Sequence, residues 1–170
     1  YSIEAAIRSK LFDKVICSTD CKKIAKIASN YGALVPFKRS KKFSNDYAST
    51  QSVIKYIINE LNLQNNDLIC CIYPTSPFLS YKDIIKSYNL LIKNKNRFVF
   101  AATKYRSNPY RSFKLNKKSY TKMIFTKNYN KRSQDLDNLY YDSGQYYWGY
   151  SKTWMKNKII FNNSLIVETD

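Results

Sequence analysis

The sequence predicts an α/β fold in which helices cover a mostly parallel β-sheet. Short apolar runs alternate with helical patterns four times between residues 1 and 103. The runs are apolar at successive positions, which is typical of strands buried on both faces. Alternation of such strands with helices indicates a layered α/β domain, and 170 residues are enough for one domain with a hydrophobic core.

The first part of the chain contains two predicted helices and two short predicted strands. Asp20 follows the first strand and is placed to cap the second helix, which is expected to end near Gly32. In order, the predicted elements are a helix over residues 2–9, a strand over 14–18, a helix ending at 31–32 and a strand over 33–37.

The alternation continues to Thr103 and then breaks. Asp46 or Ser49 is expected to cap a helix that runs to Leu61. Residues 104–140 are basic and rich in tyrosine without a clear period, so they form either an inserted lobe of β-hairpins or a mobile loop. The other predicted elements are a strand over 67–73, a helix from about 81, a strand over 98–103, a strand over 146–150, a helical turn over 151–155 and a strand over 165–167.

Composition excludes several kinds of catalytic site. The chain has no histidine, which excludes His-based acid–base catalysis, His metal sites and a Ser-His-Asp triad. Its three glycines, Gly32, Gly144 and Gly149, cannot build a glycine-rich phosphate loop of the P-loop or dinucleotide type. Its longest apolar runs are far shorter than the about 20 residues of a membrane span.

The net charge of +17 has two interpretations. There are 23 lysines against 6 arginines, and Lys, Asn, Ile and Tyr dominate the composition, which is typical of an AT-rich genome and of a solvated lysine surface. The alternative is attraction of anions, namely nucleic acid, nucleotide phosphates or an acidic sugar. The alternative is strengthened by the absence of any acidic residue between Asp83 and Asp135.

The four cysteines do not form the paired CxxC motifs of a zinc ribbon. Cys70 and Cys71 lie inside an apolar run, where they are expected to fill core space. Adjacent strand residues point to opposite faces, so both are buried only if both faces of the sheet are covered. A cytoplasmic protein with reduced thiols fits this usage best.

Two polar clusters follow predicted strands, at the edge where open parallel sheets bind ligands. The first is Ser18-Thr19-Asp20, whose hydroxyls and carboxylate suit a ribose or a base, although a helix cap alone would explain Asp20. The second is Tyr73-Pro74-Thr75-Ser76-Pro77, which is equally consistent with a turn followed by a cap. Spacing alone assigns neither cluster to a reaction.

The basic segment also allows an interpretation as a nucleic-acid-binding α/β module. Aromatic side chains alternate there with Lys and Arg, as in grooves that stack bases. They are Tyr105, Tyr110, Phe113, Tyr120, Phe125 and Tyr129. They form no recognised platform motif, and tyrosine is common throughout the chain.

In order along the chain, the loop motifs resemble those of the cytidylyltransferases that activate nonulosonic acids with CTP. Ser18-Thr19-Asp20 and Pro74-Thr75-Ser76-Pro77 resemble elements of the whole family. Arg132-Ser133-Gln134-Asp135-Leu136 and the segment from Asp142 to Gly149 are most similar to the branch that acts on pseudaminic acid. Relatives that use sialic acid usually carry Gln at the position of Tyr73.

The resemblance implies a Rossmann-like three-layer nucleotidyltransferase fold with a mostly parallel sheet and a small inserted β lobe at residues 104–140. It implies transfer of CMP from CTP to the anomeric hydroxyl of an acidic nine-carbon sugar, with release of pyrophosphate, for surface glycan or flagellin glycosylation. Mg²⁺ is the implied cofactor and a homodimer the implied assembly. Sialic or legionaminic acid remains the alternative sugar.

The resemblance also assigns site residues, position by position. On the nucleotide side these are Asp20, Arg39, Ser49 and Thr50. On the sugar side they are Tyr73, Thr75, Ser76, Arg132, Gln134, Asp142, Gly144 and Gln145. A structural role is the alternative for each: Arg132 as a surface charge, for example, or Asp142-Ser143-Gly144 as a turn.

Two elements of the family pattern have no counterpart in the sequence. These are a glycine-rich basic loop that cradles the CTP phosphates and an Asp-Ile-Asp-Thr element whose aspartates hold Mg²⁺. We therefore expect the 170-residue chain to be a fragment that lacks both ends, with its Mg²⁺ ligands outside it and its catalytic residues unassigned. Such a fragment is expected to be inactive alone.

Overall fold

The computed structural model describes residues 1–156 and 159–169, which form two compact units. The first unit comprises Tyr1–Ala101 and Gly144–Val167, and the second comprises Ala102–Ser143 with Glu168 and Thr169. The described helices are α1 (Ser2–Ser9), α2 (Lys22–Asn30), α3 (Thr50–Glu60), α4 (Tyr81–Ile92) and α5 (Ser151–Lys156). The described strands are β1 (Leu68–Ile72), β2 (Val99–Lys104), β3 (Phe113–Leu115), β4 (Thr121–Met123), β5 (Tyr140–Tyr150) and β6 (Leu165–Glu168). In the described stretches, each helix is too short or too polar to cross a bilayer.

The main sheet has the strand order β1-β5-β2-β6 and mixed strand directions. β1 is antiparallel to β5, in a register that runs from Leu68 opposite Tyr150 to Ile72 opposite Tyr146. β2 and β6 are parallel, because their backbone bonds advance together, from Leu165 N to Phe98 O and from Thr169 N to Ala102 O. The α/β class is as predicted, but the sheet is mixed rather than mostly parallel. A strand buried on both faces has the same apolar pattern in either direction, so the sequence did not reveal the direction of β5.

The two early predicted strands are reduced to a single parallel bridge. Ile16 pairs with Leu34, supported by bonds from Cys17 N to Leu34 O (2.9 Å) and from Leu34 N to Val15 O (2.7 Å). Pro36 has no backbone N–H to extend this ladder. The predictions of strands over 14–18 and 33–37 were therefore too long.

Helix caps settle two of the sequence predictions. Ser49 caps α3, where its Oγ accepts a bond from Ser52 N at 3.2 Å, so Ser49 rather than Asp46 has this role. The prediction that Asp20 caps α2 is wrong. Cys21 is the capping position, and its N–H donates to Thr19 Oγ1 at 3.1 Å. Thr19 thus closes a local side-chain turn before α2, and α2 itself has no side-chain cap bond.

Both faces of the sheet are covered around β5. Trp148 stacks on Phe12 on one face, with ring centroids 5.2 Å apart. Tyr147 points to the opposite face, where its ring lies 6.0 Å from that of Phe100. Both residues are almost completely buried, at 1% and 3% exposure. On β1, Cys70 lies opposite Trp148 and Cys71 lies opposite Tyr147, and both thiols are partly buried.

The second unit contains a β-hairpin formed by β3 and β4. Asn116 stabilises its turn, because its Oδ1 accepts bonds from Lys118 N (2.9 Å) and Tyr120 N (3.0 Å). Apolar side chains on the hairpin, including Phe113 and Leu115, are more than half exposed. The structure thus contains a hairpin in the segment for which a β lobe or a mobile loop was predicted, and its status as an insertion stays a prediction.

Gly149 is a position where packing leaves no space for a side chain. A Cβ there would lie 2.8 Å from two ring carbons of Phe98 and 3.0 Å from Trp154 Nε1. Gly149→Ala is therefore expected to lower the free energy of unfolding by about 1–3 kcal/mol in urea titration. The double variant Gly149→Ala/Phe98→Leu should lose less free energy of unfolding than the sum of the two single losses, because the smaller side chain at position 98 removes the clash. Equal stability of Gly149→Ala and the wild type would contradict this packing.

The β1 thiols predict a loss of stability at alkaline pH. Burial raises the pKa of Cys70 well above its usual value and that of Cys71 to about 12. The unfolded thiols ionise near pH 9, before the folded ones do, so the free energy of unfolding should fall above that pH. The free energy of unfolding can fall by at most about 1.4 kcal/mol per pH unit for each thiol.

Urea titrations from pH 8 to 10.5, under reducing conditions, test this expectation. The free energy of unfolding of Cys71→Ala should fall less steeply with pH than that of the wild type. Cys21→Ala changes an exposed thiol and should show the same dependence on pH as the wild type. Identical slopes for the wild type and Cys71→Ala would refute the claim.

Candidate active site

The loop after β1 lies against the segment of β5 that begins at Gly144. Tyr73 N donates to Gln145 O at 2.9 Å, which extends the β1–β5 ladder by one residue. Ser76, which is buried, donates from Oγ to Gly144 O at 3.3 Å. The structure therefore brings together four of the predicted sugar-side residues, Tyr73, Ser76, Gly144 and Gln145. Thr75, between two of them, is exposed on the same loop.

Gly144 has a backbone conformation that favours glycine. Its φ is +62°, in the left-handed region, and a Cβ added there would meet no atom within 4 Å. Glycine is thus required for the turn of the chain and not for space. This turn sets the carbonyl that accepts the Ser76 bond.

Tyr73 is held by contacts from several elements. Its hydroxyl hydrogen-bonds to Thr50 Oγ1 at the start of α3, and its carbonyl accepts a bond from Ser2 Oγ at 3.0 Å. Its ring lies 5.4 Å from that of Tyr147. Ser2 was not among the predicted site residues, because a contact across 71 positions leaves no local sequence signal. Thr50, predicted for the nucleotide side, directly contacts a residue predicted for the sugar side.

Aromatic packing holds the Arg39 loop against α3. Tyr56 on α3 stacks on Phe43, with centroids 4.6 Å apart, and meets Phe37 edge-on at 5.7 Å. Phe37 and Phe43 flank Arg39, whose Nε donates to Ser44 Oγ at 3.0 Å. The backbone N of Arg39 also donates to Thr19 O at 2.9 Å, which brings the loop beside Asp20. Asp20 and Arg39, both predicted for the nucleotide side, therefore lie in adjacent segments, and Ser49 is the cap of the same α3.

Ser18 is a candidate that the assignment of site residues from the resemblance did not include. Its Oγ is buried and has no hydrogen-bond partner among the described residues. Burial raises the pKa of the adjacent Cys17 thiol, and the Arg39 guanidinium acts in the opposite direction, so this cation lies close to the segment. The only sequence signal was its place in the Ser18-Thr19-Asp20 cluster. A buried hydroxyl without a partner is a group that a ligand could satisfy.

Three predicted sugar-side residues lie in the second unit. Arg132 forms a two-point ion pair with Asp135, with Nε to Oδ2 at 2.8 Å and Nη2 to Oδ1 at 3.1 Å. Gln134 is exposed in the same short helical turn, Ser133–Asp135, and Asp142 is exposed on β5. An exposed ion pair contributes only about 0.2–1 kcal/mol, so Arg132 can exchange Asp135 for another anion at little cost. The ligand-binding roles of these three residues stay predictions.

The described residues contain no cluster of three candidate metal ligands. Nowhere in residues 1–156 and 159–169 do three side chains of the types His, Cys, Asp or Glu come together. No step of the chemistry is assigned to a metal here.

With this geometry established, comparison with known proteins defines the class. The family model described as "Cytidylyltransferase" matches residues 1–158, and the chain belongs to this family. A solved structure of CMP:2-keto-3-deoxy-manno-octonic acid synthetase, complexed with CTP, superposes with a TM-score of 0.61 over 91% of this chain and 65% of that one. Identity is only 10%, so this likeness establishes the fold, which is the predicted Rossmann-like nucleotidyltransferase fold.

The curated proteins to which the chain is similar include two from bacteria of the genera Campylobacter and Helicobacter. It is 43% identical over 164 residues to the pseudaminic acid cytidylyltransferase of Campylobacter jejuni, covering 95% of this chain and 70% of that protein. It is 38% identical over 170 residues to a Helicobacter pylori protein, covering 99% of this chain and 32% of that protein. The latter is named as a pseudaminic acid cytidylyltransferase and UDP-2,4-diacetamido-2,4,6-trideoxy-beta-L-altropyranose hydrolase.

The aromatic contacts of Tyr56 predict that this residue immobilises the Arg39 loop. Tyr56→Leu is expected to raise the rate of tryptic cleavage within residues 38–42, which contain four cationic cleavage sites, by about threefold or more because local opening becomes easier. Limited proteolysis followed by mass spectrometry measures this rate.

Tyr47→Leu is the matched control, because Tyr47 is 96% exposed and its loss should leave the rate unchanged. Cleavage after Lys82 on α4 serves as a reference for global unfolding. The role of Tyr56 would be disproved by an unchanged rate at 38–42, or by equal acceleration at Lys82.

Proposed function

We propose that the protein containing this chain transfers CMP from CTP to the anomeric hydroxyl of pseudaminic acid. The sugar oxygen attacks the α-phosphorus, a new P–O bond forms, the bond to the β-phosphate oxygen breaks, and pyrophosphate leaves. The hydroxyl proton passes to solvent or to a base that we do not assign. The CMP-sugar would serve glycosylation of a surface glycan or flagellin.

The observation that carries the proposal is the cluster of Tyr73, Ser76, Gly144 and Gln145 beside Thr50, in a chain of the cytidylyltransferase family. Hydroxyls, an amide and backbone carbonyls suit a polar sugar that carries many hydroxyls. Thr75 adds an exposed hydroxyl on the same loop.

On the nucleotide side we assign Asp20, Arg39, Ser49 and Thr50, and we add Ser18. Arg39 supplies a fixed cation for the charge of the triphosphate, which phosphoryl transfer requires more than it requires an acid–base residue. The side chains of Ser18 and Asp20 offer a hydroxyl and a carboxylate to the ribose or base. Tyr56 supports this arrangement because it holds the Arg39 loop.

In the second unit, Arg132, Gln134 and Asp142 are proposed for the sugar and its carboxylate. A carboxylate ligand would replace Asp135 as the two-point partner of the Arg132 guanidinium. Because both substrates are anions, a unit with no acidic residue up to Asp135 is favourable for their approach.

Three further properties belong to the proposal. Mg²⁺ is the proposed cofactor, as is usual for transfer from a nucleoside triphosphate. A homodimer is proposed, supported by the exposed apolar side chains of the hairpin, such as Phe113 and Leu115. A cytoplasmic location is proposed, supported by four cysteines that are all free thiols.

The direct test is a turnover assay of the full enzyme that contains this chain, with CTP, Mg²⁺ and pseudaminic, sialic or legionaminic acid, and with products identified by mass spectrometry. CMP-pseudaminic acid should form with the highest kcat/KM. Tyr73→Gln should lower kcat/KM for pseudaminic acid by about tenfold or more, because the phenol and its bond to Thr50 are lost. Tyr47→Gln, at a fully exposed tyrosine, should have no effect.

Other outcomes identify the alternatives. Turnover of sialic or legionaminic acid without turnover of pseudaminic acid would transfer the assignment to that sugar. Tight, strongly salt-dependent binding of many oligonucleotides, without preference for CTP among nucleotides, would replace the enzyme with a nucleic-acid-binding module.

A further inference from the structure

The hydrogen bond between Thr50 Oγ1 and the hydroxyl of Tyr73 joins the two halves of the proposed site. We propose that Thr50 is a positioning residue, whose hydroxyl sets the direction of the Tyr73 phenol and so fixes the surface that Tyr73 presents to the sugar. This inference rests on the proposed function, because it specifies how one residue of that site acts through another.

Thr50 is suited to this role because its own position is rigid. It is the first residue of α3, directly after the cap formed by Ser49. The helix is anchored by Ile54 and Ile58, which are buried, and by a bond from Gln51 Nε2 to Trp154 O at 3.3 Å. A β-branched side chain also has restricted χ1 rotation. The backbone of Thr50 is therefore held in place, and its hydroxyl has few positions available.

Tyr73 has a fixed backbone, and its side chain is held by one hydroxyl bond and one described aromatic contact. Its N–H and C=O are bonded to Gln145 and to Ser2, so the main chain cannot shift easily. The ring has one described aromatic neighbour, Tyr147, at 5.4 Å and a tilt of 60°. Rotation about the side-chain torsions would carry the phenol oxygen several ångströms, and the bond to Thr50 opposes that rotation.

The direction of the hydrogen bond between the two hydroxyls can also link the nucleotide to the sugar. Each hydroxyl has one proton and two lone pairs, and the bond between them uses one proton. If the Thr50 hydroxyl donates its hydrogen bond to an acceptor on the nucleotide, its oxygen is left to accept a hydrogen bond from the Tyr73 hydroxyl. The phenol oxygen then has lone pairs directed to a sugar hydroxyl. CTP would thereby prepare Tyr73 for the second substrate.

Four variants of the full enzyme test the inference: Thr50→Val, Thr50→Ser, Tyr73→Phe and the double variant Thr50→Val/Tyr73→Phe. Thr50→Val and Tyr73→Phe should each lower kcat/KM for pseudaminic acid by about 3- to 10-fold, which corresponds to one neutral hydrogen bond. The double variant should be no worse than the poorer single variant, because both changes remove the same bond. Thr50→Ser keeps the hydroxyl and should stay within about twofold of the wild type.

Ser52→Ala is the matched control. Ser52 lies on the same helix, and its hydroxyl donates to Ser49 O at 2.7 Å without any part in the bond to Tyr73. Its kcat/KM for the sugar should equal that of the wild type. Melting curves verify that each variant is folded. If Thr50→Val does not fold, the inference is tested by the loss of kcat/KM in Tyr73→Phe and by the unchanged kcat/KM in Thr50→Ser.

The results separate this inference from the proposed function. A wild-type enzyme that makes no CMP-sugar from pseudaminic acid would overturn the proposed function and the inference with it. An active wild type in which the effects of Thr50→Val and Tyr73→Phe multiply would overturn the inference alone. The inference would also fall if Thr50→Val raised only the KM for CTP while Tyr73→Phe had no effect.

Discussion

Five residue pairs, from Leu68 with Tyr150 to Ile72 with Tyr146, hold β1 against β5 in antiparallel register. The cluster of Tyr73, Ser76, Gly144 and Gln145 follows from this pairing, because the next pair along it is Tyr73 with Gln145. A slip of one residue would exchange the two faces of β5 and separate the loop after β1 from Gly144. The register is therefore a constraint on both the core and the site.

The same register explains why this sheet combines small thiols with large rings. Cys70 lies beside Trp148 on one face, and Cys71 lies beside Tyr147 on the other. The Trp148 ring is covered by Phe12 and by Tyr88, and these contacts bring α4 and the chain after α1 onto the sheet. Small side chains on β1 leave room for the aromatic side chains of β5, as close packing requires.

Local signals in the sequence were sufficient for some elements and insufficient for others. Helical spacing correctly predicted α1, and the apolar run ended by Pro74 correctly predicted β1 to within a residue at each end. The direction of β5 was not predictable, because burial on both faces removes the alternation that would mark it. Within the site, the loop motifs identified Tyr73 and Thr50 separately, but their bond spans 23 positions and depends on tertiary packing. The pairing of Arg132 with Asp135 is local, because the two residues are three positions apart.

The central claim is that the nucleotide binds around the Arg39 loop and the start of α3, and the sugar around the loop after β1. Hydrogen exchange measured by mass spectrometry tests it directly in the full enzyme, first with CTP and then with CMP-pseudaminic acid. The account predicts that CTP slows exchange in peptides covering residues 18–20 and 39–50, and that the CMP-sugar adds protection at 73–76 and 144–145. Protection confined to other parts of the chain, with these four segments unchanged by either ligand, would contradict it.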